Sequence, residues 1–498
     1  MGLLAKLVVL LAAILVGYLY KTLNTVPSMP KLESKWWGRG QPQRVDQSIR
    51  PFKINIPQKT LDDLKARLKR APELTPPLEG VGFEYGFNSE YLQEVVRHWH
   101  DKYTWREREA LLNSLPQFKT YVDGLDLHFI HAKPKSVPTG TRVLPLLLLH
   151  GWPGSVREFY GLIPLLTTPR TGVDFVFEVV APSLPGYGFS EGASKPGLGP
   201  AQVAVVMKGL MNKLGFDKFY AQGGDWGSAI VSYLGALYKD EVLGIHLNFC
   251  MSNRPISNLK WILGSLWPTL VADEKYVDRM YPVGAKFSNL VKESGYLHIQ
   301  ATKPDTVSVA LRDSPVGLAA YILEKFSTWT NPAWQSRRDG GLTVKYQLDD
   351  LLDNIMIYWV TGSITTSMRL YSEHFNQQNL AIHDVAVDVP TACAVFPHEL
   401  VYQPESLLAD RYRRLVQVSH LARGGHFAAF EEPRLLADDV WAAAGRFLRL
   451  QPSPRVARVR VHSALGVFFS AARKQTPLGM IPAVFSIRVA LFFFFWVF

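Results

Sequence analysis

Along the middle of this chain, apolar residues come in short continuous runs separated by longer amphipathic stretches. Val143–Leu149 is one such run, and Phe175–Ala181, Lys218–Ala221, Val242–Phe249, Thr391–Phe396 and Leu415–Leu421 are others. A strand covered on both faces needs no polar side, so these runs predict the interior strands of a parallel sheet. The helical patterns between them serve as right-handed crossovers. Upstream, Lys119–Val122 and Leu125–His131 alternate around Asp123-Gly124, which predicts a hairpin. The expected fold class is α/β, an open sheet. Between about Met251 and Val387 the strand rhythm stops and helical, aromatic-rich sequence takes over. That block reads as a cap inserted over the carboxyl edge of the sheet, where such folds bind ligands.

Residues 2–20 are apolar except for Lys6, long enough for a helix to cross a bilayer. A cleaved signal peptide is the alternative. Bulky Tyr18, Leu19, Tyr20 and Lys21 stand where small cleavage-site residues belong, which favours an uncleaved anchor. Lys21, Lys31, Lys35, Arg39 and Arg44 follow it, so the positive-inside rule puts the body in the cytosol. Residues 22–50 read as a polar connector whose Trp36-Trp37 pair suits a membrane interface. A helix capped by Thr60, and a second after Ser89 carrying Tyr91, Leu92, Val95, Val96 and Trp99, form a helical meander. The expected organisation is an anchor over 1–21, linker and meander over 22–117, and α/β core over 118–250. The cap over 251–387, the second part of the core over 388–450 and an extension over 451–498 complete it.

The chain has 498 residues and a formal net charge of +11. Six of its basic residues and no acidic ones lie beyond Gln451, leaving +5 for the rest. With no accompanying motif, that balance excludes nucleic acid as a partner. Hydrophobic residues make up 47% and charged residues 19%, which excludes wholesale disorder. Cys250 and Cys393 allow one bridge and no disulfide framework, which points to a reducing compartment.

The sharpest chemical feature is Gly223-Gly224-Asp225-Trp226-Gly227, between a strand and a helix. This is a nucleophile-elbow pattern with Asp where esterases carry Ser. Its small neighbours permit the tight turn, and the helix start favours a carboxylate. The bland reading, an Asp that only caps the helix, fits the order of strand, glycines and helix less well. A carboxylate attacks amides poorly but displaces well at a strained or activated sp³ carbon, leaving an ester on the enzyme. Hydrolysis of that ester needs an activated water. His426, in the glycine loop Arg423–Phe427 after the last strand, is the candidate base. Glu399, after the preceding strand, is the candidate orienting acid, with Glu405 and Asp410 as competitors. Backbone N–H groups of Trp152, in His150-Gly-Trp-Pro-Gly-Ser155, and of Trp226 form the expected oxyanion hole. His150 itself reads as structural. Where the leaving group is an alkoxide oxygen, as in opening a strained ring, an acid is also needed, a role suited to tyrosine, but composition does not choose among the cap tyrosines.

These segments together resemble the microsomal epoxide hydrolase family, close to the insect juvenile-hormone epoxide hydrolases. The likeness runs to about Leu450 and includes Trp36-Trp37-Gly38, the His150 loop, Pro185-Gly-Tyr-Gly-Phe-Ser190, the Asp225 elbow, Ser294-Gly-Tyr-Leu-His-Ile-Gln300 and Arg423–Glu431. The resemblance implies an α/β-hydrolase fold with a helical cap, and Asp225, His426 and Glu399 as nucleophile, base and charge partner. It implies Tyr296 and Tyr371 as the pair that polarises the epoxide oxygen. It further implies lipophilic epoxides as substrates, no cofactor or metal, and an endoplasmic-reticulum membrane location. His398 departs from the aromatic usual beside the acid, and the extension from 451 departs from the family's normal end. The rival enzyme is a haloalkane dehalogenase, which shares the Asp nucleophile and for which Trp226 would serve as a halide donor. The rival from another class is an inactive, membrane-tethered binding protein.

Overall fold

The structure, a computed structural model, describes residues 31–375 and 385–451 together with a few positions between 14 and 25. The expected anchor over 1–21 falls largely outside the described residues, and the extension past Gln451 falls wholly outside them. Among the described residues no helix is long and apolar enough to cross a membrane.

Among the described residues nine strands make one sheet: β1 (Arg50–Phe52), β2 (Gln117–Val122), β3 (Leu125–Ala132), β4 (Arg142–Leu149), β5 (Phe175–Pro182), β6 (Phe219–Gly223), β7 (Val242–Leu247), β8 (Thr391–Val395) and β9 (Leu415–His420). Their spatial order is β1-β2-β3-β5-β4-β6-β7-β8-β9. The first three strands and the β3–β5 pair are antiparallel, whereas β5-β4-β6-β7-β8-β9 run parallel. The apolar runs are buried on both faces because helices cover both. Pro200–Lys213 and Asp225–Leu237 pack into one core, while Ile163–Thr167 and Pro433–Leu450 pack into the other. This is the α/β-hydrolase fold. Helices from Pro255–Leu263 to Ile364–His374 lie between β7 and β8 in the chain.

Four readings need correction. The edge strand β1 lies where a connector is expected, because three residues including Pro51 carry no detectable period. Thr60 is no cap: the helix begins at Gln58, Pro57 precedes it, and the Thr60 amide already donates to the Pro57 carbonyl. Trp37 is buried in the core, its N–H bonded to Asp123 O and its carbonyl to Ser194 N–H, so it is not an interfacial belt residue. Finally, Cys250 and Cys393 are paired rather than reduced. Leu247 of β7 stands opposite Cys393 of β8, so Cys250, just past β7, comes within 6.0 Å of it, Cα to Cα.

A buried ionic cluster joins meander, sheet and cap. Asp353, on the cap helix Leu348–Thr361, accepts Tyr103 Oη at 2.9 Å, Arg108 Nε at 2.8 Å and Arg157 Nε at 2.8 Å. Asp350 on the same helix takes both guanidinium groups a second time. A fully buried Asp353 is tolerable only because both charges of opposite sign reach it with hydrogen bonds.

Candidate active site

The elbow between β6 and the helix Asp225–Leu237 holds Asp225 at φ 48°, a left-handed conformation that costs a non-glycine residue roughly 1–3 kcal/mol. The turn closes only because its neighbours lack side chains. A Cβ on Gly227 would stand 2.1 Å from Leu149 O, and one on Gly151 would stand 2.1 Å from Asp225 Oδ1. Gly151 thus lets the loop after β4 lie directly against the carboxylate.

That loop delivers Trp152, whose N–H donates to Asp225 Oδ1 at 2.8 Å. Trp226, the other expected donor, follows Asp225 at the start of the helix. The cap helix Leu348–Thr361 grips the same loop. Asn354 Nδ2 donates to Pro153 O at 2.8 Å, Ser155 Oγ donates to Asn354 Oδ1 at 2.7 Å, and Tyr358 Oη donates to Gly154 O at 2.8 Å. His150 accepts the Leu184 N–H on Nε2 at 3.1 Å, which leaves Nδ1 to donate to Gly151 O at 3.0 Å. Burial pushes its pKa down to about 4, so the ring is a neutral bracket for the loop.

His426 faces the other carboxylate oxygen, with Nε2 3.2 Å from Asp225 Oδ2. Its Nδ1 lies 2.5 Å from Glu399 Oε1, which also accepts the Leu400 N–H at 2.8 Å. Burial by itself would lower the imidazole pKa. The Glu399 charge, the hydrogen bond to Glu399 and the adjacent Asp225 carboxylate together hold it well above the ordinary value. The competing acids are engaged elsewhere: Asp410 binds Lys260 at 2.7 Å, and Glu405 is exposed in the first turn of a short helix.

The glycine loop around His426 is fixed from two sides. Glu431 accepts the amides flanking the histidine, Gly425 N–H at 2.6 Å and Phe427 N–H at 2.8 Å. The cap's Trp329 offers its carbonyl to the His426 N–H at 3.0 Å, and a Cβ on Gly425 would stand 2.5 Å from Thr330 O. The sequence reading overlooks Glu431 as well as Asn354 and Tyr358. Glu431 leaves a detectable signal, a carboxylate one helical turn after Phe427; the other two leave none.

Above the carboxylate opens a cavity of about 460 Å³, lined by Trp226, Phe249, Tyr296, Leu297, Trp329 and Tyr371. Tyr296 stands on the cap helix Gly295–Thr302 and Tyr371 on Ile364–His374. Their rings meet edge to face, with the centroids 6.0 Å apart. Tyr296 also stacks on Trp152 at 5.4 Å, and Tyr371 meets Trp226 edge-on at 4.8 Å. Burial, reinforced by the Asp225 charge, holds both phenols well above their usual pKa, so they remain proton donors. His398, beside the acid, lines the same cavity and is held below the usual imidazole pKa by burial and by Arg279. Asp225 lines a second, much smaller cavity on its far side, together with His426 and Glu158, another residue absent from the sequence reading.

Comparison with known proteins shows the family. Residues 49–159 match the family model "Epoxide hydrolase N terminus", and residues 145–385 match the alpha/beta hydrolase fold. The chain is 53% identical over 450 residues to juvenile hormone epoxide hydrolase 1 of Ctenocephalides felis, covering 90% of this chain and 97% of that one. To epoxide hydrolase 1 of Oryctolagus cuniculus it is 48% identical over 447 residues, 88% of this chain and 98% of the relative. The crystal structure of juvenile hormone epoxide hydrolase from the silkworm Bombyx mori superposes with a TM-score of 0.82 at 48% identity, covering 84% of this chain and 99% of that one. The chain belongs to the epoxide hydrolase family, and its reaction is the hydrolysis of epoxides.

Proposed function

We propose that Asp225 opens the epoxide through Oδ2, leaving an ester whose carbonyl oxygen, Oδ1, stays on the Trp152 N–H with Trp226 as second donor. Tyr296 and Tyr371 hold the epoxide oxygen and give it a proton, and His426 restores that proton to the phenols. Glu399 and Asp225 together hold His426 protonated, and ester formation removes the Asp225 charge from that pair. The imidazole thereby becomes a base, with Glu399 steadying the imidazolium that reforms when water attacks. Ester cleavage releases the vicinal diol and regenerates the carboxylate. One observation carries this reading: the continuous contact Trp152–Asp225–His426–Glu399 at the floor of a cavity that two adjoining phenols also line.

The test is mass spectrometry of His426→Gln after mixing with excess styrene oxide. A substrate-sized adduct on the Asp225 peptide is expected. Absence of an adduct, with diol still formed by the parent, would indicate direct attack by water.

The substrates we assign are lipophilic epoxides, supported by the largely aromatic and aliphatic cavity and by relatives named for juvenile hormone. We assign the chain to the endoplasmic-reticulum membrane through residues 2–20. The exposed apolar residues Leu263, Leu266, Trp267 and Leu270 support contact with lipid, since the helix that leads into them also lines the cavity. Flanking charge supports a body facing the cytosol, whereas the Cys250–Cys393 pairing supports the oxidising side. Protease protection in intact microsomes decides between the two faces.

A further inference from the structure

The smaller cavity holds about 20 Å³, room for one water molecule, on the side of Asp225 away from the tyrosines. Its wall includes Asp225, His426, Glu158 and Gln222. Gln222 is 1% exposed; its Nε2 is spent on Asn248 Oδ1 at 2.8 Å, and its Oε1 has no hydrogen-bond partner among the described residues. A buried acceptor facing a water-sized space is a water-binding feature, since an unmet buried acceptor costs about 1–3 kcal/mol.

Glu158 enters from a short 3-10 turn, Val156–Phe159, whose Ser155 cap is held by Asn354. Arg157 beside it is tied to Asp350 and Asp353, so the turn is braced on both sides. The Glu158 side chain lies so close to Gly154 that a Cβ there would overlap its carboxyl oxygen. The loop has therefore given up a side chain at 154 for this carboxyl group to sit where it does. Burial pushes its pKa up to about 8, so at neutral pH it is an uncharged acid rather than a second anion beside Asp225.

We propose that this cavity seats the hydrolytic water, and that Glu158, with Gln222, is the residue that positions it between His426 Nε2 and the carbonyl carbon of the Asp225 ester. The proposal rests on the ester chemistry above. The water gives one proton to His426 Nε2 and directs the other at the Glu158 or Gln222 oxygen. Its O–H bond to the first proton breaks as the oxygen bonds to Asp225 Cγ. The displaced carbonyl pair moves onto Oδ1, at the Trp152 N–H. When that pair returns, the bond from Cγ to Oδ2 breaks. Oδ2 leaves on the substrate carbon as a hydroxyl of the diol, taking a proton from His426, and the new carboxyl group, which keeps the water oxygen, returns its proton to His426. Substrate and water then occupy opposite faces of one carboxylate.

The test separates the two half-reactions in Glu158→Leu by stopped-flow and quenched mass spectrometry with styrene oxide. Ester formation should stay within about 3-fold of the parent, while ester hydrolysis slows on the order of 10- to 100-fold, as expected from a misplaced reactant. Ester should then accumulate on Asp225. Glu158→Gln, which keeps an uncharged acceptor, should recover most of the hydrolysis rate. Hydrolysis at the parental rate in Glu158→Leu, an equal fall in both half-reactions, or failure of the Gln variant to recover would each overturn the proposal. Glu158→Met carries the same test if the leucine variant is not recovered folded. Failure of His426→Gln to trap any ester would overturn the underlying chemistry and this proposal with it. An ester trapped there, with Glu158→Leu hydrolysing normally, would overturn the positioning role alone.

Discussion

The floor and the roof of the site are held in place by different means. On the floor, Trp152, Asp225, Glu399 and His426 each stand just past the carboxyl end of a strand, respectively β4, β6, β8 and β9. Their backbones are dictated by turns in which Gly151, Gly227 and Gly425 leave no room for a side chain. On the roof, Tyr296 and Tyr371 ride on helices and are aimed by ring contacts with Trp152, Trp226 and each other. A floor built from backbone geometry has one working arrangement. A roof built from packed rings tolerates redrawing as long as two phenols still meet over the carboxylate.

That contrast is open to direct attack. Asp225→Ala should abolish the floor's function, lowering diol formation by roughly 10⁴-fold or more with no adduct on the peptide. Residual activity within about 10-fold of the parent would refute the nucleophile. Glu399→Gln should cost roughly 10²- to 10⁴-fold, all of it in ester hydrolysis, as for the orienting acid of other triads. A loss confined to ester formation would place Glu399 in a different role. For the roof, Tyr296→Phe and Tyr371→Phe should each slow ester formation by roughly 10- to 100-fold, and together by about 10³-fold. The singles are milder because the remaining phenol still donates; a single variant as slow as the double would show that only one of them acts.

The mildest probe is acid. Burial lowers the pKa of His128 to about 3, of His150 to about 4 and of His374 to about 3. The unfolded chain takes up protons near 6.5 that the folded chain refuses. Their stabilising effect is complete above that pH and drains away as pH falls toward 4, at up to roughly 1.4 kcal/mol per pH unit for each ring. Melting temperature measured from pH 7 to 4.5 should fall less in His150→Asn than in the parent. Equal changes in the two proteins would mean that the His150 ring is not neutral in the fold.

The same contrast explains what the sequence displays. Strand runs, the elbow and the order Asp225, Glu399, His426 are written in local patterns, because burial on two faces and tight turns restrict residue choice position by position. The resemblance, rather than any period or spacing, singles out Tyr296 and Tyr371 among the cap tyrosines, since ring packing leaves no mark in neighbouring residues. Glu158, Asn354 and the Arg108–Asp353–Arg157 cluster escape for another reason. Their partners are far apart in sequence, 245 positions for Arg108 and Asp353, and only the closed fold brings them together. Trp37 misleads because an aromatic next to a connector looks the same whether it meets lipid or core. The cysteine pair stays hidden until β7 and β8 are known to be neighbours.

The cap departs from β7 and returns to β8, the strand next door, and the Cys250–Cys393 bond ties those two points across a separation of 143 residues. In topological terms the cap is a ring hung from adjacent pegs. By the loop-length relation, closing a ring of that size removes about 5 kcal/mol of chain entropy from the unfolded state. Such a ring can be lengthened, shortened or exchanged without shifting the register of a single strand. Changes in the ring's length therefore need not move the strands from which Asp225 and His426 are hung.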